Sequence, residues 1–291
     1  MSMLESDFEF NNVRTSYDGY IQIAEFYNQF KDKHHLKIFL SIDTWFGANM
    51  CSPLGSVMNK LALNGHRFEF DYLKPDIQKI LCKNKFLSKY GYEKITDQNQ
   101  TTIQFLELKP NQGDEFLTYI QSELLRRPEL PKLSELLKKK MTESIFEIFQ
   151  NAKTHSKSEE IITCGQFFPN KNTIEFSITD IGIGIKENVC KFFHRDVSAT
   201  KAIEWAIQSG HSTKDNITGG LGFAILREFT EKNGGKINIV SDSGFYEFEN
   251  GIDIFEEISC PFPGTTINMR FQTDDPTSYS LLEELKVTDI F

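Results

Sequence analysis

The sequence predicts an α+β fold with a small α/β unit ahead of it, and three observations carry that expectation. Between residues 38 and 108 strand patterns are separated by helical ones. From Leu133 an apolar stripe recurs every three or four residues as far as Ala152. Beyond that stripe strand patterns return in pairs, with helical segments between them.

In the first unit, residues 38–42 form an apolar run, and Phe68, Phe70 and Tyr72 alternate with polar residues. Ile103 and Phe105 run on into Leu106 and Leu108, which reads as a strand that slips register at Phe105 and Leu106. Helices over 53–63 (Leu54, Met58, Leu61) and 75–90 (Ile77, Ile80, Leu81) separate these strands. One sheet with helices, spanning residues 1–115, is the expectation.

Asn111, Gln112, Gly113 and Asp114 break the pattern, 115–125 reads as a helix, and Pro128 and Pro131 interrupt it, so 116–130 is read as linker and helix. A long amphipathic helix follows, with Leu133, Leu137, Met141, Ile145, Ile148 and Ala152 on its stripe. Strands are expected at 161–168, 174–179, 235–240 and 265–271, and helices at 199–208 and 221–232. This makes 131–272 a second domain, with helices on one face of a mixed sheet, and 273–291 a tail.

A chain of 291 residues accommodates two such domains, and 25% charged with 39% hydrophobic residues is the balance of a folded protein. The net charge of -9 argues against holding nucleic acid by phosphate neutralisation, which needs clustered Lys and Arg. Lys138, Lys139 and Lys140 are read as the solvated face of a helix. Five scattered cysteines, an odd number without CxxC spacing, argue against a disulfide framework or zinc site. No leader pattern and no run of about 20 apolar residues is visible, so a cytoplasmic protein that does not enter the membrane is expected.

Three short stretches carry chemistry. Glu147, Asn151 and His155 recur every four residues and share one face of the long helix. There Asn151 offers a carbonyl oxygen suited to magnesium, and Glu147 a base for a water. Asp180, Ile181, Gly182, Ile183 and Gly184 follow a strand; glycines let the backbone turn and approach a planar ligand, and an ionised Asp accepts from an exocyclic amine. Gly219, Gly220, Leu221, Gly222 and Phe223 open a helix, where free backbone N–H groups and the helix dipole favour phosphate. Each stretch has an ordinary alternative: a solvated helix face, a strand exit, a glycine-rich connection.

Their order, Glu-xxx-Asn-Ala, then Asp-x-Gly-x-Gly, then Gly-Gly-Leu-Gly-Phe, resembles the N, G1 and G2 boxes of the GHKL ATPase and kinase superfamily. Gly264 and Thr265, entering the last strand, are similar to the family's Gly-Thr element. The resemblance covers roughly residues 130–272 and implies a Bergerat-type α/β sandwich that binds ATP with Mg2+. It implies Asn151 as magnesium ligand, Asp180 as acceptor for the adenine amine, Gly182 and Gly184 as supports of the adenine pocket, and Thr265 beside the adenine. It further implies phosphate contacts from Gly219, Gly220, Leu221, Gly222 and Phe223, and Glu147 as the catalytic base. The stretch 185–218 corresponds to the family's ATP lid, in which Ser212, Thr213 and Lys214 are placed to reach the γ-phosphate or to remain in a solvated loop.

The first domain loosely resembles STAS domains, whose members are phosphorylated by GHKL serine kinases on a residue near a helix N-terminus. Ser52 is the nearest candidate; followed by Pro53, it is read instead as a helix N-cap. His34, His35 and His66 are read as surface residues, and none stands in a phospho-acceptor context, which argues against a sensor histidine kinase. The short stretch after Phe271 argues against a clamp ATPase. Three readings follow: slow ATP hydrolysis driving a regulatory switch on a protein partner, co-encoded in one version of the reading; a serine/threonine kinase of the anti-sigma factor type; and a nucleotide sensor without turnover. A homodimer is left open, because no heptad pattern supports one.

Overall fold

The structure is a computed structural model and describes residues 3–208, 211, 221–281 and 284. Strands β1 (Leu4–Phe10), β2 (Leu36–Ile42) and β3 (Arg67–Leu73) lie side by side in that order and are parallel throughout. Parallel neighbours need a crossover, and α1 (Tyr17–Phe30) and α2 (Cys51–Ala62) supply them. Ser16 starts α1 by accepting from the N–H of Gly19, while α3 (Pro75–Lys83) starts on a proline, where a missing N–H costs no helical bond.

After α3 come β4 (Thr102–Leu108), α4 (Gly113–Tyr119), β5 (Lys132–Leu133), α5 (Glu135–His155), β6 (Ile161–Phe168) and β7 (Thr173–Asp180). Then follow α6 (Gly184–Phe193), α7 (Ala199–Ala206), α8 (Leu221–Asn233), β8 (Lys236–Glu249), β9 (Ile252–Gln272) and β10 (Ser278–Tyr279). The second sheet runs β4-β6-β7-β9-β8. The sequence predicts a mixed sheet here, but every one of its pairings is antiparallel. β4, grouped by the sequence with the first sheet, is an edge strand of this one, and its pairing with β6 shifts register between Ile103 and Leu106. That shift turns Phe105 into the N-terminal core and leaves Ile103 and Leu108 in the other.

The second sheet is covered on both faces. On one lies α5, capped by Ser134, whose hydroxyl accepts from Leu137 N–H. Its Leu137, Met141, Ile145 and Phe149 are buried in one core with Phe176 and Ile178 of β7. On the other lie α1 and α2, where Ile23, Phe26, Leu54 and Val57 share a core with Ile162, Cys164, Val240 and Phe262. Side chains alternate along a strand, so β7 sends Phe176 and Ile178 to α5 and Ser177 and Thr179 toward the N-terminal unit.

Beside that apolar contact runs a buried polar seam. Asn49 Nδ2 donates to Asn268 Oδ1 and Glu175 Oε2, both at 3.1 Å, and the Ala48 N–H donates to Gln166 Oε1 at 2.7 Å. Burial raises the pKa of Glu175, opposed by the Thr15 hydroxyl that donates to it and by the Arg270 charge.

Two expectations fail in the N-terminal unit. The N-cap of α2 is Met50, and Ser52 sits inside the first turn, fully buried, with Oγ 2.8 Å from both Ile162 O and Thr179 Oγ1. It therefore ties the two units together and caps nothing. His66 is buried and not on the surface: Nδ1 accepts from Leu36 N–H at 3.2 Å, so Nε2 carries the proton that faces Phe30 O, also at 3.2 Å. His34 and His35 are exposed.

Candidate functional site

On the α5 side of the second sheet a cavity opens between α5, the sheet, α6 and the end of α7. Five helix residues set its first wall: Ser144, Glu147, Ile148, Asn151 and Ala152 lie at the three- and four-residue spacings that share a helix face. Ile148, read from the sequence as part of the core stripe, faces the cavity, and Phe149 takes the core position, stacked on Phe116 at 4.6 Å.

The cavity floor comes from the sheet. Ile178, Ile239 and Ile267 are cross-strand partners on β7, β8 and β9 and all three line it. One pleat further on, Asp180 pairs with Thr265, and Thr265 pairs with Ser241. Ser241 is buried and central: it accepts from Ile185 N–H at 2.9 Å and lies 2.9 Å from Gly264 O and 3.0 Å from Thr265 Oγ1. It donates its one proton to the carbonyl, which can only accept, and so receives the Thr265 hydroxyl.

Asp180 lies at the mouth of the turn between β7 and α6 and is only 6% exposed. Burial pushes its carboxyl up to about 7, against the pull of the Gly182 N–H, the Ser156 hydroxyl and the Lys60 charge, all of which favour ionisation. The Gly182 N–H donates to Asp180 Oδ1 at 2.9 Å. Near neutrality this carboxyl is balanced between its two forms, ready to accept a donor from the cavity when ionised.

The glycines of this turn serve different ends. A Cβ on Gly182 would stand 1.8 Å from Ser156 O, because the end of α5 closes onto the turn through the bond from Ile183 N–H to Ser156 O at 2.7 Å. Gly182 does not line the cavity, so the close approach it permits is to α5 and not to a ligand. Gly184 does line it, and its φ of +75° is the left-handed conformation in which a side chain is strained.

Glu147, Asn151, Asp180, Gly184, Phe223 and Thr265 thus meet on one cavity although they span more than a hundred residues of sequence. Leu221 and Gly222 form the first turn of α8. Ser212, Thr213, Lys214, Gly219 and Gly220 lie outside the described residues. The sequence missed Ser156 and Ser241, single serines with no motif around them. It also missed Trp205 and His211, which line the cavity stacked on one another at 4.9 Å. Phe192 and Phe193 pack on Trp205 at 5.4 and 5.3 Å, and this aromatic cluster joins α6 to α7 beside the opening. Phe192 and Phe193 end α6 and Trp205 stands near the end of α7, but nothing in the sequence tells which side they face.

Among the described residues no group of three or more His, Cys, Asp or Glu side chains could hold a metal by itself. Glu147 and Asn151 offer hard oxygen donors on the cavity wall, which fits magnesium, an ion that takes few protein ligands and completes its shell from water and phosphate. An apolar floor with one buried carboxylate at its edge, and oxygen donors on the opposite wall, fits a flat heteroaromatic group bearing an amine and a charged tail.

Residues 138–274 match the family described as histidine kinase-, DNA gyrase B-, and HSP90-like ATPase. No curated protein matches the chain. Among the described residues no helix is long and apolar enough to cross a membrane.

Proposed function

From the premise that residues 138–274 are an ATP-binding module of the GHKL type, we propose that the chain binds ATP in the α5-side cavity and hydrolyses it slowly, as a switch that changes its contact with a protein partner. The observation that carries this reading is the meeting of Asp180 and Thr265 with Glu147 and Asn151 around one apolar-floored cavity. The ionised Asp180 accepts from the adenine amine, the isoleucine floor holds the ring, and Thr265 lies beside it. The start of α8 at Leu221 is assigned to the phosphates, because the first N–H groups of a helix have no partner within it and the helix dipole favours negative charge.

Magnesium, held by Asn151, would neutralise phosphate charge. Glu147, one turn before Asn151 on the same wall, takes a proton from a water aligned on the terminal phosphate. Hydrolysis is preferred over sensing alone because that carboxylate is present at the cavity; kinase activity toward a partner is the neighbouring alternative. Ser52 does not serve it as an acceptor within this chain, being fully buried and bonded to β6 and β7.

Incubation of the purified chain with γ-labelled ATP and magnesium, with and without candidate partners, tests the reading. Free phosphate that is lost in Glu147→Ala, with nucleotide binding kept, is the expected result. Label on a protein serine or threonine establishes the kinase, and binding without release of phosphate establishes the sensor.

A further inference from the structure

The N-terminal unit touches the Asp180 turn through α2. Along β7 successive side chains point to opposite faces, so Thr179 looks toward α2 while Asp180 looks into the cavity. Ser52, in the first turn of α2, receives the Thr179 hydroxyl and donates to Ile162 O of β6. Two helical turns on, Asn59 Nδ2 donates to Glu107 Oε1 at 2.8 Å and Glu160 Oε2 at 2.7 Å, which fixes that end of α2 to β4 and to the approach to β6. Lys60, the next residue, donates through Nζ to Ile181 O at 3.2 Å.

That last bond reaches Asp180 through a single peptide group. Ile181 C=O and Gly182 N–H belong to one planar trans unit, so they point in opposite directions. Lys60 holds the carbonyl end, and the N–H end donates to Asp180 Oδ1 at 2.9 Å. A glycine after the carbonyl makes this peptide easy to turn over, since Gly182 tolerates both hands of backbone conformation. Turned over, it would present a carbonyl oxygen to the carboxylate. The ammonium opposes that flip, and by polarising the carbonyl it strengthens the N–H bond at the other end. The same charge favours the ionised form of Asp180 against its burial.

We propose that α2 of the N-terminal unit sets the nucleotide affinity of the GHKL module, with Lys60 as the positioning residue that locks the Ile181–Gly182 peptide toward Asp180. This rests on the reading of the cavity as an adenine site. The N-terminal unit is then an effector carried in the same chain: displacement of α2 by a ligand or protein on that unit releases the peptide and weakens nucleotide binding. Linkage makes the effect reciprocal, so nucleotide holds α2 on the sheet.

Calorimetric titration of the full chain with ADP and magnesium, paired with amide exchange of the ligand-free chain, tests this. Lys60→Met keeps the alkyl stem and removes the charge. It is expected to weaken ADP about ten-fold, the loss of roughly one charge-assisted hydrogen bond, and to speed exchange at Gly182 while the β7 interior is unchanged. Lys60→Arg, which restores a cationic donor, should recover most of the affinity, as a merely space-filling role would not. ADP should also slow exchange along α2 in the wild type and not in Lys60→Met. If the methionine disturbs folding, Lys60→Gln answers the same question with a polar surface. A wild type that binds ADP and a Lys60→Met that binds it equally well overturn this inference alone. A wild type that binds no ADP overturns the cavity reading first, and this inference with it.

Discussion

At the scale of the residue, Asp180 is where burial and chemistry oppose each other. Its pKa is raised from the ordinary carboxylate value to about 7, so the folded protein binds a proton that the unfolded chain releases near pH 4. Stability from this group is therefore fully present at low pH and falls as pH rises through that window to about 7. Asp180→Asn removes the penalty: in urea titrations the wild type should lose on the order of 3 kcal/mol between pH 5 and pH 8 from this site, and the variant should not. Nucleotide binding should vanish in the same variant without unfolding, and unchanged affinity by calorimetry would sink the adenine assignment. In the wild type, affinity should rise between pH 6 and pH 8, as the acceptor form is populated. Gly182→Ala acts through packing instead: with Ser156 O at 1.8 Å from the new Cβ, the end of α5 must leave the turn. A cost above about 2 kcal/mol in urea unfolding is expected.

The element scale separates two faces of α5. Phe149 lies fully in the core and Ile148 beside it lines the cavity. Phe149→Ala should cost about 3–5 kcal/mol of stability, measured by denaturant unfolding. Ile148→Ala should cost about 1 kcal/mol or less there and show its effect in calorimetric nucleotide affinity, because the methyl groups it loses face the cavity. An equal stability loss in both would mean that the cavity wall is core. The sequence carried the helix itself, its period and the shared face of Glu147 and Asn151. It did not distinguish Ile148 from Phe149, since both are apolar neighbours on one helix and the partner surface decides which is enclosed.

At the scale of the whole molecule, the two units share one apolar core and one polar seam. We propose that β4 belongs with the 131–272 unit, whose edge it forms, and that neither unit unfolds without the other. The two tryptophans give the measurement: Trp45 lies in the N-terminal unit, 6.0 Å from Phe168 of β6, and Trp205 lies beside the cavity. Urea transitions followed with Trp205→Phe, with Trp45→Phe and by far-ultraviolet circular dichroism should coincide. Separate midpoints would show two independent folding units.

Much of the second unit was legible because its signals are local. Strand alternation placed β6 and β7 to within a residue, and the helical period placed α5 and α8. The Asp-x-Gly-x-Gly turn announced itself through glycines that few other backbone paths require. Less was legible in residues 4–30, where β1 mixes acids into its alternation and its exposed edge needs no apolar stripe. The destination of β4 was hidden as well, because a strand carries its own pattern but not its neighbour's name. What the sequence determined by itself is a set of short-range facts: periods, caps, turn residues and the order of the three chemical stretches. Only the tertiary structure decided that Glu147, Asn151, Asp180 and Phe223, drawn from all three stretches, share a cavity, and that Ser52 and Lys60 bond to Thr179 and Ile181 on either side of Asp180. Contacts between residues a hundred positions apart depend on which faces pack together, and that is settled by the competition of whole surfaces for burial.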